Sequence, residues 1–187
     1  PDYSSVLEQG HWYGARRADE SAVVLGAARL LLTRERVALN YLQRLSGVAT
    51  LAARFVDAVA GTGVSILNTR KTTPGLRVLE KAAAAAGGVV NHRMGLWDAV
   101  LIKNNHIRLA GGVRAAVERT RTLGKPIEVE VRTRAEIVDA LECGAGRLLL
   151  DNMTPRQAAT EIRFIAKQAE VEISGGVTLA NVRAYAE

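Results

Sequence analysis

Arginine and lysine residues recur where apolar segments end, and these positions could hold a strongly anionic small molecule. The residues are Arg70, Lys71, Arg93 and Lys103. The planar guanidinium group of arginine binds a carboxylate through two parallel hydrogen bonds, whereas lysine offers phosphate a point charge. We therefore expect a substrate that carries several negative charges.

Acidic and glycine-rich positions also follow apolar segments. Glu130 and Asp151 could hold sugar hydroxyls, either directly or through Mg²⁺, or they could simply pair with the arginines and lysines. The tripeptide Ser174-Gly175-Gly176 could cradle a phosphate, although by itself it is more typical of a plain turn. Among the histidines, His92 beside Arg93 is the better candidate for acid–base chemistry.

The elements that must position these side chains alternate between strands and helices after Gly63. Short apolar runs predict strands at residues 64–67, 99–102, 127–131, 147–150 and 171–173. Helical spacing predicts helices at residues 76–86, 113–123, 135–142, 155–169 and 179–186. Because active sites of β/α folds form at the carboxyl ends of parallel strands, we expect the polar residues after these strands to meet at one rim.

The strand at residues 127–131 differs from the others because acidic and apolar residues alternate in it. Glu128 and Glu130 point to the same side of that strand, which in a barrel could be the interior. Unpaired carboxylates in such a place would be costly. We therefore expect cationic groups to face them.

A long amphipathic helix precedes the alternating region. Apolar residues recur at steps of three and four from Thr33, which predicts a helix over residues 33–62 with Gly47 as a candidate break. Residues 1–32 carry no comparable pattern. We expect them to be the remnant of an N-terminal domain.

The composition limits the classes of partner. The 187 residues include 25 Lys and Arg against 19 Asp and Glu, and a single Cys143. No apolar run approaches the roughly 20 residues that span a bilayer, so we expect no membrane partner. Aromatic residues make up only 4% of the chain and the basic residues fall at strand ends, which argues against a nucleic-acid-binding module. One cysteine fits a reducing cytoplasm.

Six ordered blocks give the chain a resemblance to a known family. They are ALNYLQRLSGVAT at 38–50, TRKTTPGLRVLEK at 69–81, NHRMGLWDAVLIKNNHI at 91–107, IEVEV at 127–131, LLDNMTP at 149–155 and SGG at 174–176. In order and spacing they resemble the quinolinate phosphoribosyltransferases. The resemblance implies an irregular α/β barrel over residues 63–187, incomplete at its C-terminal end, after part of an α+β domain.

The resemblance also implies an activity and roles for residues. The family joins quinolinate to phosphoribosyl pyrophosphate with Mg²⁺, in a homodimer or higher homo-oligomer that shares active sites. The implied quinolinate-binding residues are Arg36 from the partner subunit, Thr69, Arg70, His92 and Arg93. Lys71 lies beside these binders. The implied residues around phosphoribosyl pyrophosphate are Lys103, Asn104, Ser174, Gly175 and Gly176. The implied metal-binding residues are Glu130 and Asp151, which with Lys71 and Lys103 form the implied catalytic set.

The chain departs from the family pattern at two positions. Asn68 and Asn104 stand where the family has Asp. Each change replaces a carboxylate with an amide, which removes negative charge from a site that requires a metal. Two alternatives are therefore open: a homologue of the branch associated with molybdenum transport that acts on another substrate, or a catalytically inactive member of the family.

Overall fold

The structure, a computed structural model, describes residues 26–187 as an α/β chain. The chain divides into two compact units after Gly47. In chain order the helices and strands are α1 Ala28–Ala58, α2 Arg77–Ala86, β1 Val100–Ile102, α3 Asn104–Ala110, α4 Val113–Arg121, β2 Ile127–Val131, α5 Arg134–Glu142, β3 Arg147–Asp151, α6 Pro155–Ile165, β4 Glu170–Ser174 and α7 Val182–Ala186. In this part of the chain no helix combines the length and apolarity needed to cross a bilayer.

The four strands form one parallel sheet in the order β1-β2-β3-β4. Strands that pair in sequence order, each followed by a helix, are the repeating unit of a β/α barrel. The core lies on one face of the sheet, where Val129, Val131, Leu148 and Leu150 are fully buried at 0% exposure. Because side chains alternate along a strand, the intervening residues project from the other face.

That other face is polar. It carries Glu128 and Glu130 of β2, Asp151 of β3, and Glu172 and Ser174 of β4. The register places Glu130 beside Leu149, and Leu149 beside Glu172, so these two acidic residues lie at the same level on either side of β3. The alternation predicted for residues 127–131 therefore also occurs in β4, where it was not predicted.

The strand predicted at residues 64–67 is wrong. Only Leu67 forms a bridge there, parallel to Val90, through hydrogen bonds from Val90 N to Ile66 O at 2.9 Å and from Asn68 N to Val90 O at 3.2 Å. A ladder needs several extended residues on both sides. Here the partner segment turns into the polar loop at residues 91–93 directly after Val90, so the pairing stops after one bridge.

Two helices also differ from prediction. Helix α1 begins five residues before Thr33 and continues through Gly47, because an exposed glycine costs a helix only about 1 kcal/mol. Helix α3 was not predicted. It starts directly after Lys103, whose backbone N–H donates to His106 Nδ1 at 3.0 Å, and no Ser, Thr, Asp or Asn stands at the N-cap position to signal it.

The second half of α1 packs closely against the end of α2. Ala52, Ala84 and Val89 form a small buried cluster, with Val48 beside them. Gly87 ends α2 at the closest approach, where an added Cβ would lie 2.3 Å from Ala49 O. The contact is between backbones, so a side chain cannot be accommodated by a rotamer change.

Replacing Gly87 by alanine should therefore lower the free energy of unfolding by about 1–3 kcal/mol, because the two helices would have to separate. Gly47→Ala is the matched control, since Gly47 lies exposed in α1 with nothing within 4 Å of an added Cβ. That variant should be up to about 1 kcal/mol more stable than the wild type. Urea unfolding of both variants checks the prediction, and equal stabilities for the two would contradict it.

Candidate active site

Two arginines lie close together in the loops that precede β1. Arg93 is partly buried and its Nη1 donates to Ala99 O at 3.1 Å. Burial lowers the pKa of Arg93, and the positive charge of Arg70 lowers it further. Within residues 26–187 the buried Nε of Arg70 has no hydrogen-bond partner. Two partly buried guanidinium groups repel each other, and an anion bound beside them would reduce that repulsion.

A buried lysine supports the loop that carries His92. Lys81 of α2 is 1% exposed, and its Nζ donates to His92 O at 3.0 Å and to Asn68 Oδ1. The same Asn68 oxygen accepts from His92 N at 3.2 Å. Asn68 Nδ2 donates in turn to Asn91 Oδ1 at 2.5 Å. The contacts of the Asn68 side chain are therefore to Lys81 and to this supporting loop, and the expectation that its missing charge bears on the metal stays a prediction.

A carboxylate at residue 68 would lie in direct contact with the ammonium group of Lys81. Burial lowers the pKa of Lys81, and the charge of Arg77 lowers it further, while Asp98 acts in the opposite direction. An asparagine oxygen solvates the ammonium group but does not neutralise it. A carboxylate at this position would do both.

The imidazole of His92 contacts two buried carboxylates. His92 Nε2 forms a hydrogen bond of 2.9 Å with Glu128 Oε2 and lies 3.4 Å from Glu172 Oε1. Arg147 Nη1 lies 3.3 Å from the same Glu172 oxygen, and Arg147 Nη2 lies 2.5 Å from Glu170 Oε2. The charges of Arg147, Arg93 and Lys103 also act on Glu128, so the prediction that cationic groups face this carboxylate is confirmed.

Burial governs the protonation of this cluster. Desolvation raises the pKa of Glu172 to about 7, and the neighbouring charge of Glu128 raises it too. Desolvation also raises the pKa of Glu128. It lowers the pKa of His92, against the opposing effect of Glu172. All three shifts disfavour the charged form, as expected for groups removed from water.

Sequence reasoning did not select Glu128 and Glu172 as site residues. The alternating segments IEVEV and EVEIS carried a signal for both, since each places acidic residues on one face of a strand. The ligand atoms of His92, Glu128 and Glu172 lie within 4.8 Å of one another, a spacing that a metal ion could use. The charges of Arg147 and Arg93 act against the desolvation that raises the pKa of Glu128, and Arg147 acts in the same way on Glu172. The two carboxylates therefore have cations nearby without a metal.

Glu130 and Asp151 lie at the carboxyl ends of β2 and β3. Glu130 Oε1 accepts from Asn104 N at 3.4 Å, and Asp151 Oδ1 accepts from Ser174 Oγ at 3.2 Å. In the described part of the chain neither carboxylate forms a salt bridge. Within residues 26–187 the alternative that they simply pair with arginines and lysines therefore finds no support.

The segment Ser174-Gly175-Gly176 turns sharply at the end of β4. Gly175 has φ +87°, and an added Cβ there would lie 2.2 Å from Asn152 Oδ1. Asn152 has a positive φ of 56°, and its N–H donates to Ser174 O at 2.9 Å. The next helix, α7, begins only at Val182. A helix N-terminus therefore does not support this turn directly, and the phosphate cradle stays a prediction.

The remaining predicted residues lie on exposed segments. Lys103 is exposed before α3, and its charge lowers the pKa of Glu128. Thr69 and Lys71 are exposed in the loop after the bridge, with Lys71 N donating to Thr69 Oγ1 at 3.0 Å. Arg36 lies on the exposed surface of α1 in the first unit.

Comparison with known proteins identifies the family of this arrangement. The family model for the C-terminal domain of quinolinate phosphoribosyl transferase matches residues 48–187. The probable nicotinate-nucleotide pyrophosphorylase (carboxylating) of Synechocystis is 45% identical over 172 residues, which are 88% of this chain and 58% of the relative. The human nicotinate-nucleotide pyrophosphorylase (carboxylating) is 43% identical, over 86% of this chain and 57% of its own length.

Solved structures agree with the sequence comparison. The structure of NadC from Streptococcus pyogenes matches with a TM-score of 0.81 and 40% identity, over 86% of this chain and 57% of that one. The nicotinate-nucleotide pyrophosphorylase of Francisella tularensis matches with a TM-score of 0.81 and 38% identity, over 85% and 57%. The fold is therefore of the β/α-barrel type found in these enzymes. The chain spans somewhat under three fifths of the length of these relatives.

Asn68→Asp should raise the free energy of unfolding at pH 7 by about 1–2 kcal/mol, because it gives the buried Lys81 a charged hydrogen-bond partner. The gain should disappear as the pH falls below about 4, where the new carboxyl group becomes protonated. Asn40→Asp on the exposed surface of α1 makes the same charge change in the first unit of the chain. Urea unfolding at pH 7 and pH 3 should show the gain for residue 68 alone.

Glu172→Gln should flatten the dependence of stability on pH. In the wild type the pKa of Glu172 rises from 4.5 to about 7 on folding, so the folded state binds more protons between these values. Its contribution to the free energy of unfolding is therefore present below pH 4.5 and is lost as the pH rises to about 7. Glu170→Gln on the same strand is the control, since that side chain is exposed. Identical pH profiles for wild type and Glu172→Gln would contradict this account.

Proposed function

Because the chain belongs to the quinolinate phosphoribosyl transferase family, we propose that it transfers the phosphoribosyl group of phosphoribosyl pyrophosphate to quinolinate with decarboxylation. The products are nicotinate mononucleotide, pyrophosphate and CO₂, in the de novo synthesis of NAD. The observation that carries the proposal is the pair of partly buried arginines, Arg70 and Arg93, beside His92. Quinolinate, with two carboxylates, supplies the anion that this pair favours.

Quinolinate is held by planar groups in this proposal. The guanidinium groups of Arg70 and Arg93 can each form two parallel hydrogen bonds to a carboxylate, and Thr69 and His92 lie in the same loops. Arg36 completes the site of a neighbouring subunit in a homodimer or higher homo-oligomer. The cytoplasm, where the buried thiol of Cys143 stays reduced, is the expected location.

Phosphoribosyl pyrophosphate occupies the strand ends. Lys103 holds its phosphates as a point charge, with Asn104 beside it, and Lys71 lies in the loop that carries Thr69 and Arg70. Ser174, Gly175 and Gly176 offer the sharp turn at the end of β4 to the 5′-phosphate. Glu130 and Asp151 hold the ribose hydroxyls and the metal.

The two carboxylates suit Mg²⁺. They are hard oxygen donors at the carboxyl ends of adjacent parallel strands, and neither forms a salt bridge within residues 26–187. Mg²⁺ commonly takes one or two carboxylates together with substrate phosphates and water. When bound, the metal would neutralise charge that develops on the departing pyrophosphate.

The protein contributes orientation and charge to the reaction. As the bond from C1 of the ribose to pyrophosphate breaks, Lys103 stabilises the departing anion and the carboxylates balance the positive charge that grows on the sugar. The arginines hold the quinolinate nitrogen in line to attack C1. The new ring cation stabilises the carbanion that forms when the 2-carboxylate leaves as CO₂, and the carbanion then takes a proton. The enzyme forms no covalent bond.

Of the two asparagines that stand where the family has Asp, Asn104 is the one that contacts a proposed metal-binding residue. Asn68 bonds to Lys81 and His92, whereas the backbone N–H of Asn104 contacts Glu130. The amide at residue 104 therefore lowers the negative charge near the proposed metal. This observation favours a homologue of the molybdenum-transport branch with another heteroaromatic acid as substrate, or an inactive member of the family.

A coupled assay for CO₂ and nicotinate mononucleotide tests the proposal. The wild type should form both products from quinolinate in the presence of Mg²⁺, and other pyridine carboxylic acids should react more slowly. A silent wild type that becomes active as Asn104→Asp would show an inactivated member of the family. Faster turnover of another acid would favour the rival substrate.

Arg70→Lys should raise the KM for quinolinate about 10- to 100-fold, because lysine cannot form the bidentate contact. The KM for phosphoribosyl pyrophosphate should change less than about twofold. Arg156→Lys, on the exposed surface of α6, is the matched control and should leave both values unchanged. An equal rise in both KM values for Arg70→Lys would place that residue elsewhere in the site.

A further inference from the structure

We infer that Glu128 and Glu172 are positioning residues that orient the imidazole of His92 toward the substrate. This inference rests on the proposed function, because it assigns the held imidazole to quinolinate binding. Neither carboxylate touches the substrate in this account. Each acts through the ring that it holds.

His92 is held at three separate points. Its backbone N–H donates to Asn68 Oδ1 at 3.2 Å, its carbonyl accepts from Lys81 Nζ at 3.0 Å, and its ring Nε2 forms a hydrogen bond of 2.9 Å with Glu128 Oε2. Loop, helix and sheet therefore converge on one residue. A surface histidine needs no such fixation, whereas a substrate-binding group gains from being fixed before the substrate arrives.

Burial of these two carboxyl groups does not by itself stabilise the fold. The Glu128 side chain is 5% exposed, and its Oε1 atom has no hydrogen-bond partner in the described part of the chain. A hydrogen bond with the Glu172 carboxyl group offsets part of the cost of burial. Two carboxyl groups buried side by side, with one oxygen unpaired, are still costly. The position of Glu172 could be filled by an apolar residue, because Leu149 fills the paired position on β3. The cost is understandable if the contact with the ring is required for function.

The geometry leaves one ring nitrogen for the ligand. With Nε2 engaged by Glu128 and Glu172, only Nδ1 remains, and it makes no hydrogen bond within residues 26–187. The His92 side chain keeps 12% of its surface exposed. A ring held by one nitrogen and open at the other presents a fixed polar atom beside Arg93. Such an atom can discriminate between ring acids by the position of their carboxylates.

The test compares Glu128→Gln and Glu172→Gln with Glu170→Gln. Glu170 is the matched control because it lies on the same strand as Glu172 and also pairs with Arg147, yet it does not contact His92. Both positioning variants should raise the KM for quinolinate about tenfold and leave the KM for phosphoribosyl pyrophosphate within about twofold. The control should leave both unchanged. Equal changes in both KM values would overturn the inference.

A double-mutant cycle separates positioning from general structural damage. In the background of His92→Asn, removal of Glu128 or Glu172 should have little further effect on the KM for quinolinate, because the group that they hold is already gone. Fully additive effects would overturn the inference. If Glu128→Gln fails to fold, Glu172→Gln carries the same cycle, since Glu172 is the more exposed of the two side chains, at 17% against 5%.

Ring ¹⁵N signals of His92 provide a readout that does not depend on turnover. The chain has three histidines, so His92→Asn identifies the signals. They should shift in Glu128→Gln and Glu172→Gln and stay in place in Glu170→Gln. Unchanged signals in both variants would sink the inference even in an active enzyme. Shifted signals in a chain that forms no product would support the contact while the proposed function fails.

Discussion

The pleat of four parallel strands imposes the constraint on which the rest of the structure depends. Successive side chains must point to opposite faces, so one face of the sheet can bury Val129, Val131, Leu148 and Leu150 against helices while the other carries acidic residues. Parallel pairing then aligns these acidic residues with one another and brings the strand ends to one edge. The apolar core and the polar site are therefore two consequences of a single geometric rule.

Acidic residues concentrated on one face of the sheet require cations or hydrogen-bonding groups nearby. Glu172 contacts Arg147 and His92, Glu128 contacts His92, and Glu130 accepts from a backbone N–H of α3. His92 lies in the same loop as Arg93, so the acidic face of the sheet contacts that loop. The charges of the sheet thus help to place a residue of the proposed substrate-binding loop.

The same loop depends on a second buried charge. Lys81 in α2 holds the main chain of His92 and the side chain of Asn68. Within residues 26–187, an amide at residue 68 leaves the ammonium group hydrogen-bonded but without a carboxylate in direct contact. The departure from the family pattern at this position therefore concerns the contacts that support the His92 loop. The departure at Asn104, beside Glu130, concerns the charge of the site.

The sequence by itself determined the β/α alternation, four of the strands, the cationic residues and the family, because periodicity and ordered motifs are local properties of the chain. It could not determine that residues 64–67 make only a bridge, since that depends on how many extended residues the partner segment offers. It could not show that α3 starts at Asn104, where a histidine side chain replaces the usual cap. Only the tertiary structure decided that His92 meets Glu128 and Glu172 and that Asn68 meets Lys81. These contacts join residues 13 to 80 positions apart, and packing alone brings such groups into hydrogen-bonding distance.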